Sequence, residues 1–63
     1  MSKIACNLVP GDVVSSGEIV TNNIKSLYRG EIRAKVTLRN PKTGTMRVAA
    51  WGYYSTIFMK KST

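Results

Sequence analysis

The sequence contains no histidine, one cysteine and only three carboxylates, and each scarcity excludes a class of site. Cys6 cannot form a disulfide within the chain, and its thiol has no histidine to activate it. Zinc and calcium sites need clusters of Cys, His, Asp or Glu ligands, which this composition does not supply. We therefore expect neither a metal nor another cofactor.

Catalytic constellations are missing as well. Neither a Ser/His/Asp nor a Cys/His set can be assembled, and Asp12 and Glu18 lie in a turn region that gives no reason for a displaced pKa. Residues 15–17 and 43–45 lack the glycine spacing and the following helix of a phosphate-binding loop. We expect a binding protein and not an enzyme.

Long apolar runs are also lacking. Residues 1–7 do not have the apolar core of a signal peptide, and no segment approaches the ~18 apolar residues of a membrane span. A free thiol fits a reducing compartment. We expect a cytoplasmic protein that does not enter a membrane.

The chain is short, and its 63 residues predict a single domain over 1–63 with a single core. A core this small gives only about 3–5 kcal/mol of net stability. Because disulfides and metals are not available, the alternatives are close packing in a monomer and self-association through exposed strand edges, which would give a homo-oligomer.

Charge of one sign dominates the composition. Ten Lys and Arg face Asp12, Glu18 and Glu31, which gives a net charge of +7. Such a field attracts polyanions, and nucleic acid is the commonest polyanion in a cytoplasm. A purely solubilising or unrelated role of the charge is the second alternative, and an acidic protein or assembly partner is the third.

The clearest element is a strand over Glu31–Arg39, in which apolar and polar residues alternate with period two. Residues 40–44 contain Pro41 and Gly44 and predict a turn, so Thr45–Trp51 forms the second strand of a β-hairpin. The predicted core pairs are Leu38 with Met46, Val36 with Val48, and Ala34 with Ala50.

Shorter elements are predicted on both sides of this hairpin. Asp12–Val14 and Glu18–Thr21 flank a tight bend, and residues 22–30 predict an irregular loop because their apolar residues are isolated. Residues 53–56 suit a helical or 3₁₀ turn, and Ile57–Lys60 suits a closing strand. The result is an all-β fold of about five antiparallel strands in a meander.

One segment carries a family resemblance. Residues 8–14, Leu-Val-Pro-Gly-Asp-Val-Val, resemble the hydrophobic-x-Pro-Gly-Asp-hydrophobic entry of SH3-like barrels, including those of the KOW and Tudor-like kinds. The resemblance implies a small five-stranded SH3-like barrel, in which Pro-Gly makes the turn and Asp12 caps its amides. An OB-fold is the nearest rival, but OB domains run longer and usually carry a helix between their third and fourth strands.

The predicted hairpin places cations and flat rings on one outward face. Such a face suits single-stranded nucleic acid, because cations neutralise phosphates and exposed rings stack on unpaired bases. The alternatives are that Trp51 is a core residue, and that the chain is a protein-interaction or assembly module. A compact barrel of this size is also compatible with a phage-encoded protein. The candidate nucleic-acid-binding residues are Arg33, Lys35, Arg39, Arg47, Trp51 and Tyr53.

Overall fold

The structure, a computed structural model, describes residues 1–60 as an all-β domain. The elements are β1 (Ser2–Ile4), a 3₁₀ turn (Ala5–Asn7), β2 (Ile19–Tyr28), β3 (Glu31–Arg39), β4 (Met46–Gly52) and β5 (Thr56–Phe58). β1 pairs with β5, and β2, β3 and β4 form a three-stranded antiparallel meander. The all-β class is confirmed, but strand pairing within residues 1–60 does not close the two sheets into a barrel. None of the helical structure in this range is long and apolar enough to cross a membrane.

The core lies on one side of the three-stranded sheet. Ala34, Val36 and Leu38 of β3 are fully buried there, and Val20 of β2 and Ala49 of β4 flank them. The side chains that cover this inner side come from the first fourteen residues and from the end of the chain. They are Ala5, Leu8, Val14, Ile57 and Met59. The other side of the sheet is left to solvent, and the alternation of side chains therefore separates a buried face from an open one.

β2 is longer than predicted, because residues 22–28 form a strand and not an irregular loop. They pair with β3 as far as Tyr28 opposite Glu31, and Arg29 and Gly30 make the turn with φ of 51° and 78°. Positive φ at both central residues is the geometry of a type I′ hairpin turn. The end of this hairpin extends beyond the core, since Leu27 is 72% exposed on the inner side. Both faces of the hairpin are exposed to solvent there, which is why apolar and polar residues do not alternate in this part of the sequence.

A β-bulge at Thr21 sets the orientation of β2. Val20 pairs with Leu38 and Asn22 pairs with Thr37, so Thr21 has no opposite residue. The extra residue leaves both Val20 and Asn23 on the inner side. The Asn23 Nδ2 group donates hydrogen bonds to two backbone oxygens, of Ala5 at 3.0 Å and of Leu8 at 2.9 Å. One side chain therefore ties β2 to the 3₁₀ turn and to the residue that follows it.

The Pro-Gly-Asp turn forms as its residue types predict. Gly11 has φ of 100°, and the Asp12 carboxylate accepts hydrogen bonds from the Val9 amide and from Lys3 Nζ, both at 3.0 Å. The Val9 amide, assisted by Lys3, lowers the pKa of Asp12. The predicted cap on this turn is confirmed, and it joins the turn to β1.

The remaining strands differ in part from the prediction. Residues 12–14 form single bridges, Val13 with Ile19 and Val14 with Met59, and no continuous strand. β1 instead supplies the fifth strand, by pairing with β5 from Ser2–Phe58 to Ile4–Thr56. The expected turn after β4 is present and is closed by a hydrogen bond from the Ser55 amide to the Gly52 oxygen at 3.0 Å.

Candidate nucleic-acid interface

The β3–β4 hairpin has a register that differs by one residue from the predicted one. Leu38 lies opposite Arg47, Val36 opposite Ala49, and Ala34 opposite Trp51. A shift of one residue moves every side chain of a strand to the other face of the sheet. The prediction that Arg47 and Trp51 share a face with Arg33 is therefore wrong. The last of these pairs places Trp51, the largest ring of the chain, opposite the small Ala34 on the face that packs against the core.

The two predicted stacking rings both belong to the inner side. Trp51 is half-buried and packs against the core, as the alternative interpretation of this residue proposed. Tyr53 also packs against the core, and Lys25 Nζ lies 5.7 Å from the centre of its ring. The Tyr54 ring meets the Tyr53 ring edge to face at 5.1 Å. Neither Trp51 nor Tyr53 adds an aromatic surface beside the cations of β3.

Arg47 is engaged by a carboxylate. Its Nε and Nη2 groups each donate to Glu18 at 2.8 Å, and Ser16 Oγ donates to the same carboxylate at 2.8 Å. The Arg47 hydrogen bonds, followed by that of Ser16, lower the pKa of Glu18 from its ordinary 4.5 to about 2. The expectation that Asp12 and Glu18 have undisplaced pKa values is therefore wrong for both residues. A two-point pair of this kind neutralises the Arg47 charge and fastens β4 to the bend before β2.

This pair makes stability depend on pH in acid. Between pH 4.5 and about 2 the unfolded chain takes up a proton on Glu18 that the folded chain does not. Stability should therefore fall as the pH is lowered through this interval, and be fully present above it. Thermal unfolding followed by circular dichroism should show a smaller fall for Glu18→Gln, which keeps an acceptor for Arg47 but does not titrate. Equal falls in the two proteins would contradict the role of Glu18.

Three of the predicted cations do lie together on the open face, a name we give to the outward side chains of β2, β3 and β4. Lys35 and Arg39 are exposed and form no ion pair within residues 1–60, while Arg33 is half-buried and contacts Glu31 at 3.0 Å. These cations are separated by two and by four residues along β3, so their side chains all lie on the same side of the strand. The open face consists of Ile19, Asn22, Ile24, Ser26, Tyr28, Glu31, Arg33, Lys35, Thr37, Arg39, Met46, Val48 and Ala50.

The aromatic residue of the open face is Tyr28, which sequence reasoning assigned to a loop. The residue is 54% exposed, and the guanidinium carbons of Arg29 and Arg33 lie 5.4 and 5.7 Å from the centre of its ring. The side chain lines an open hollow on the face together with Ser26, Arg33, Lys35 and Ala50. The signal that could have found Tyr28 is the Arg29-Gly30 pair, which has the glycine that a two-residue hairpin turn needs.

Apolar side chains border the cations on both sides. Ile24 of β2 and Val48 of β4 are each 54% exposed, and Met46 at the start of β4 is similarly open. Ile24 lies opposite Lys35, and Val48 lies opposite Thr37 on the other side of β3. The open face therefore offers charge along its middle strand and apolar contact on its flanking strands.

No family model, curated protein or solved structure matches the chain. Its function has to be inferred from the geometry and charge of its own residues.

Proposed function

We propose that this chain is an SH3-like domain that binds single-stranded nucleic acid on its open face. The SH3-like part is supported by the pairing of β1 with β5 and by the β2–β3–β4 meander. A long connection over residues 5–18 and a turn between β4 and β5 also fit that plan.

The observation that carries the proposal is the row of Arg33, Lys35 and Arg39 along one side of β3. The charges of Arg47 and Lys3 are matched by Glu18 and Asp12, but Lys35 and Arg39 meet no carboxylate within residues 1–60. Arg33 donates to the exposed Glu31 through Nη2 alone, at 3.0 Å. Cations in such a row neutralise successive phosphates and release the counterions that surround a nucleic acid. The net charge of +7 adds a field that attracts the same ligand.

The preference for single strands follows from Tyr28. An unpaired base can stack on an exposed tyrosine ring or on the plane of an arginine guanidinium, and both lie at this end of the open face. A duplex keeps its bases stacked inside and would meet only the cations. Stacking on any base is possible, so binding should depend weakly on sequence.

A second candidate function is a protein-interaction module that binds an acidic partner. The observation that favours it is the exposure of Ile24 and Val48 beside the cations of β3. An acidic segment with its own apolar side chains would match both components of the face.

Salt dependence is the first test of the proposal. If three phosphates are contacted, the affinity for a single strand should fall with a log–log slope of about −2, which is about twentyfold between 50 and 200 mM salt. Fluorescence anisotropy with labelled single- and double-stranded oligonucleotides of equal length measures both the slope and the preference. Failure to bind at low salt would contradict the proposal, and equal affinity for the duplex would contradict its single-strand part. Binding of polyglutamate without binding of nucleic acid would favour the second candidate.

A further inference from the structure

β4 is an outer strand with one unpaired edge. β3 occupies its other edge from Arg39–Met46 to Arg33–Gly52. Within the described part of the chain, residues 46–51 form no backbone hydrogen bond with any segment except β3. An edge of this kind presents a row of amide and carbonyl groups that another strand can pair with.

This edge also lacks most of the features that usually prevent such pairing. Edge strands are commonly protected by lysine, proline, a bulge, an inward-pointing charge or very short length. Of these features β4 has only the inward-pointing Arg47 over its seven residues, and Glu18 neutralises that charge. The edge therefore carries no unbalanced charge against a second strand.

The opposite edge of the same sheet is protected. β2 has a bulge at Thr21 and carries Lys25. Its first residues are already bonded, since the Gly11 amide donates to the Val20 oxygen and the Val20 amide donates to the Asp12 oxygen, both at 2.8 Å. The contrast between the two edges identifies β4 as the one available for pairing.

The partner that fits best is a second copy of this chain. We propose that two copies pair antiparallel through their β4 edges and form a continuous six-stranded sheet. A two-fold axis perpendicular to the sheet keeps each side chain on its own side, so the exposed Val48 and Ala50 of the two copies come together at the seam. The two open faces then lie on the same side and double the length of the basic surface. This dimer does not depend on the proposed function.

The net charge of the chain does not prevent this arrangement. The cations Lys35 and Arg39 lie on β3, and neighbouring strands are about 4.8 Å apart. The two β3 rows would therefore be separated by three strand spacings, or roughly 14 Å, which exceeds the screening length of about 8 Å at physiological salt. Repulsion across the seam is largely screened, and added salt should strengthen the dimer.

Sedimentation velocity on protein freed of nucleic acid tests the proposal. Wild type should show a monomer–dimer equilibrium that shifts to dimer with protein concentration and with salt. Val48→Lys brings a lysine from each copy to the seam, and the dissociation constant should rise at least about tenfold. Ile24→Lys is the matched control, because Ile24 has the same 54% exposure on the same face but lies on β2. The control should leave the dissociation constant within about twofold of wild type, since β2 is remote from the seam.

Three outcomes would overturn the β4 dimer. They are a monomer at every concentration, no effect of Val48→Lys, and an equal effect of Ile24→Lys, which would indicate that the open faces stack on each other. Circular dichroism melts of both variants establish that each is folded. Nucleic-acid binding weakens with salt whereas the dimer strengthens, so failure of one proposal is distinguishable from failure of the other.

Discussion

Replacing Lys35 and Arg39 together by glutamine should weaken binding of a single-stranded oligonucleotide roughly sixtyfold at about 50 mM salt. Each phosphate contact with a single strand releases about 0.7 of a counterion. At about 50 mM salt this release raises the affinity almost tenfold. The slope of log affinity against log salt should also fall, from about −2 to about −0.7, because only Arg33 is left. Anisotropy titrations at two salt concentrations measure both quantities.

The structure offers a control with the same change in net charge. Lys3 and Arg47 are cations that already face Asp12 and Glu18 at 3.0 and 2.8 Å, away from the open face. The variant Lys3→Gln/Arg47→Gln should bind the oligonucleotide within about threefold of wild type, since distant charges act only through a screened field. If it loses as much affinity as the Lys35/Arg39 variant, binding follows the total charge and the open face is not the interface.

The part of this interface that the sequence predicts is β3. Ile32, Ala34, Val36 and Leu38 alternate without interruption, and the predicted bounds Glu31–Arg39 are those of the strand. Alternation also decides that Arg33, Lys35 and Arg39 share the face opposite the core. Strict period two is informative here because β3 is the central strand of its sheet and is fully buried on one side at Ala34, Val36 and Leu38.

The faces of β4 could not be predicted in the same way. Met46, Val48 and Ala50 are apolar, but so are Ala49 and Trp51, so either set could have faced the core. The register is decided by the loop, where the Asn40 amide donates to the Thr45 oxygen at 2.8 Å and the Gly44 amide donates to the Asn40 oxygen at 2.7 Å. Loop geometry of this kind sets the register of a hairpin, and the hydrophobic pattern of the two strands does not reveal it.

Contacts between residues that are distant in the sequence could not be predicted either. Glu18 and Arg47 are 29 residues apart, and Glu18 gives no local sign that it will neutralise one particular arginine among the cations. Tyr28 was missed for a different reason, because the end of the β2–β3 hairpin leaves the core and its residues lose the alternation that marks a half-buried strand. The net charge is readable from composition, but its distribution over the faces depends on the fold.

The second large effect is expected at Asn23. Its amide is the donor to the oxygens of Ala5 and Leu8, and these contacts are partly buried. Asn23→Asp replaces that donor by a carboxylate that faces two carbonyl oxygens. The Ala5 oxygen keeps a hydrogen bond from the Leu8 amide at 3.2 Å, but the Leu8 oxygen loses its donor, which costs about 1–3 kcal/mol, and the carboxylate repels both oxygens. The free energy of unfolding should therefore fall by about 2–3 kcal/mol, a large part of the 3–5 kcal/mol expected of a core this small.

Urea denaturation followed by circular dichroism measures this loss, with Asn22→Asp as the control. Asn22 is exposed on the open face, and its side-chain oxygen accepts from the Asn23 amide at 3.0 Å, a contact that a carboxylate can also make. The control should stay within about 0.5 kcal/mol of wild type. A similar loss in both variants would mean that charge on β2 is harmful in itself. A loss confined to Asn23→Asp would mean that this one amide holds the 3₁₀ turn against the bulged strand, and with it the face of β2 that carries Ile24 and Tyr28.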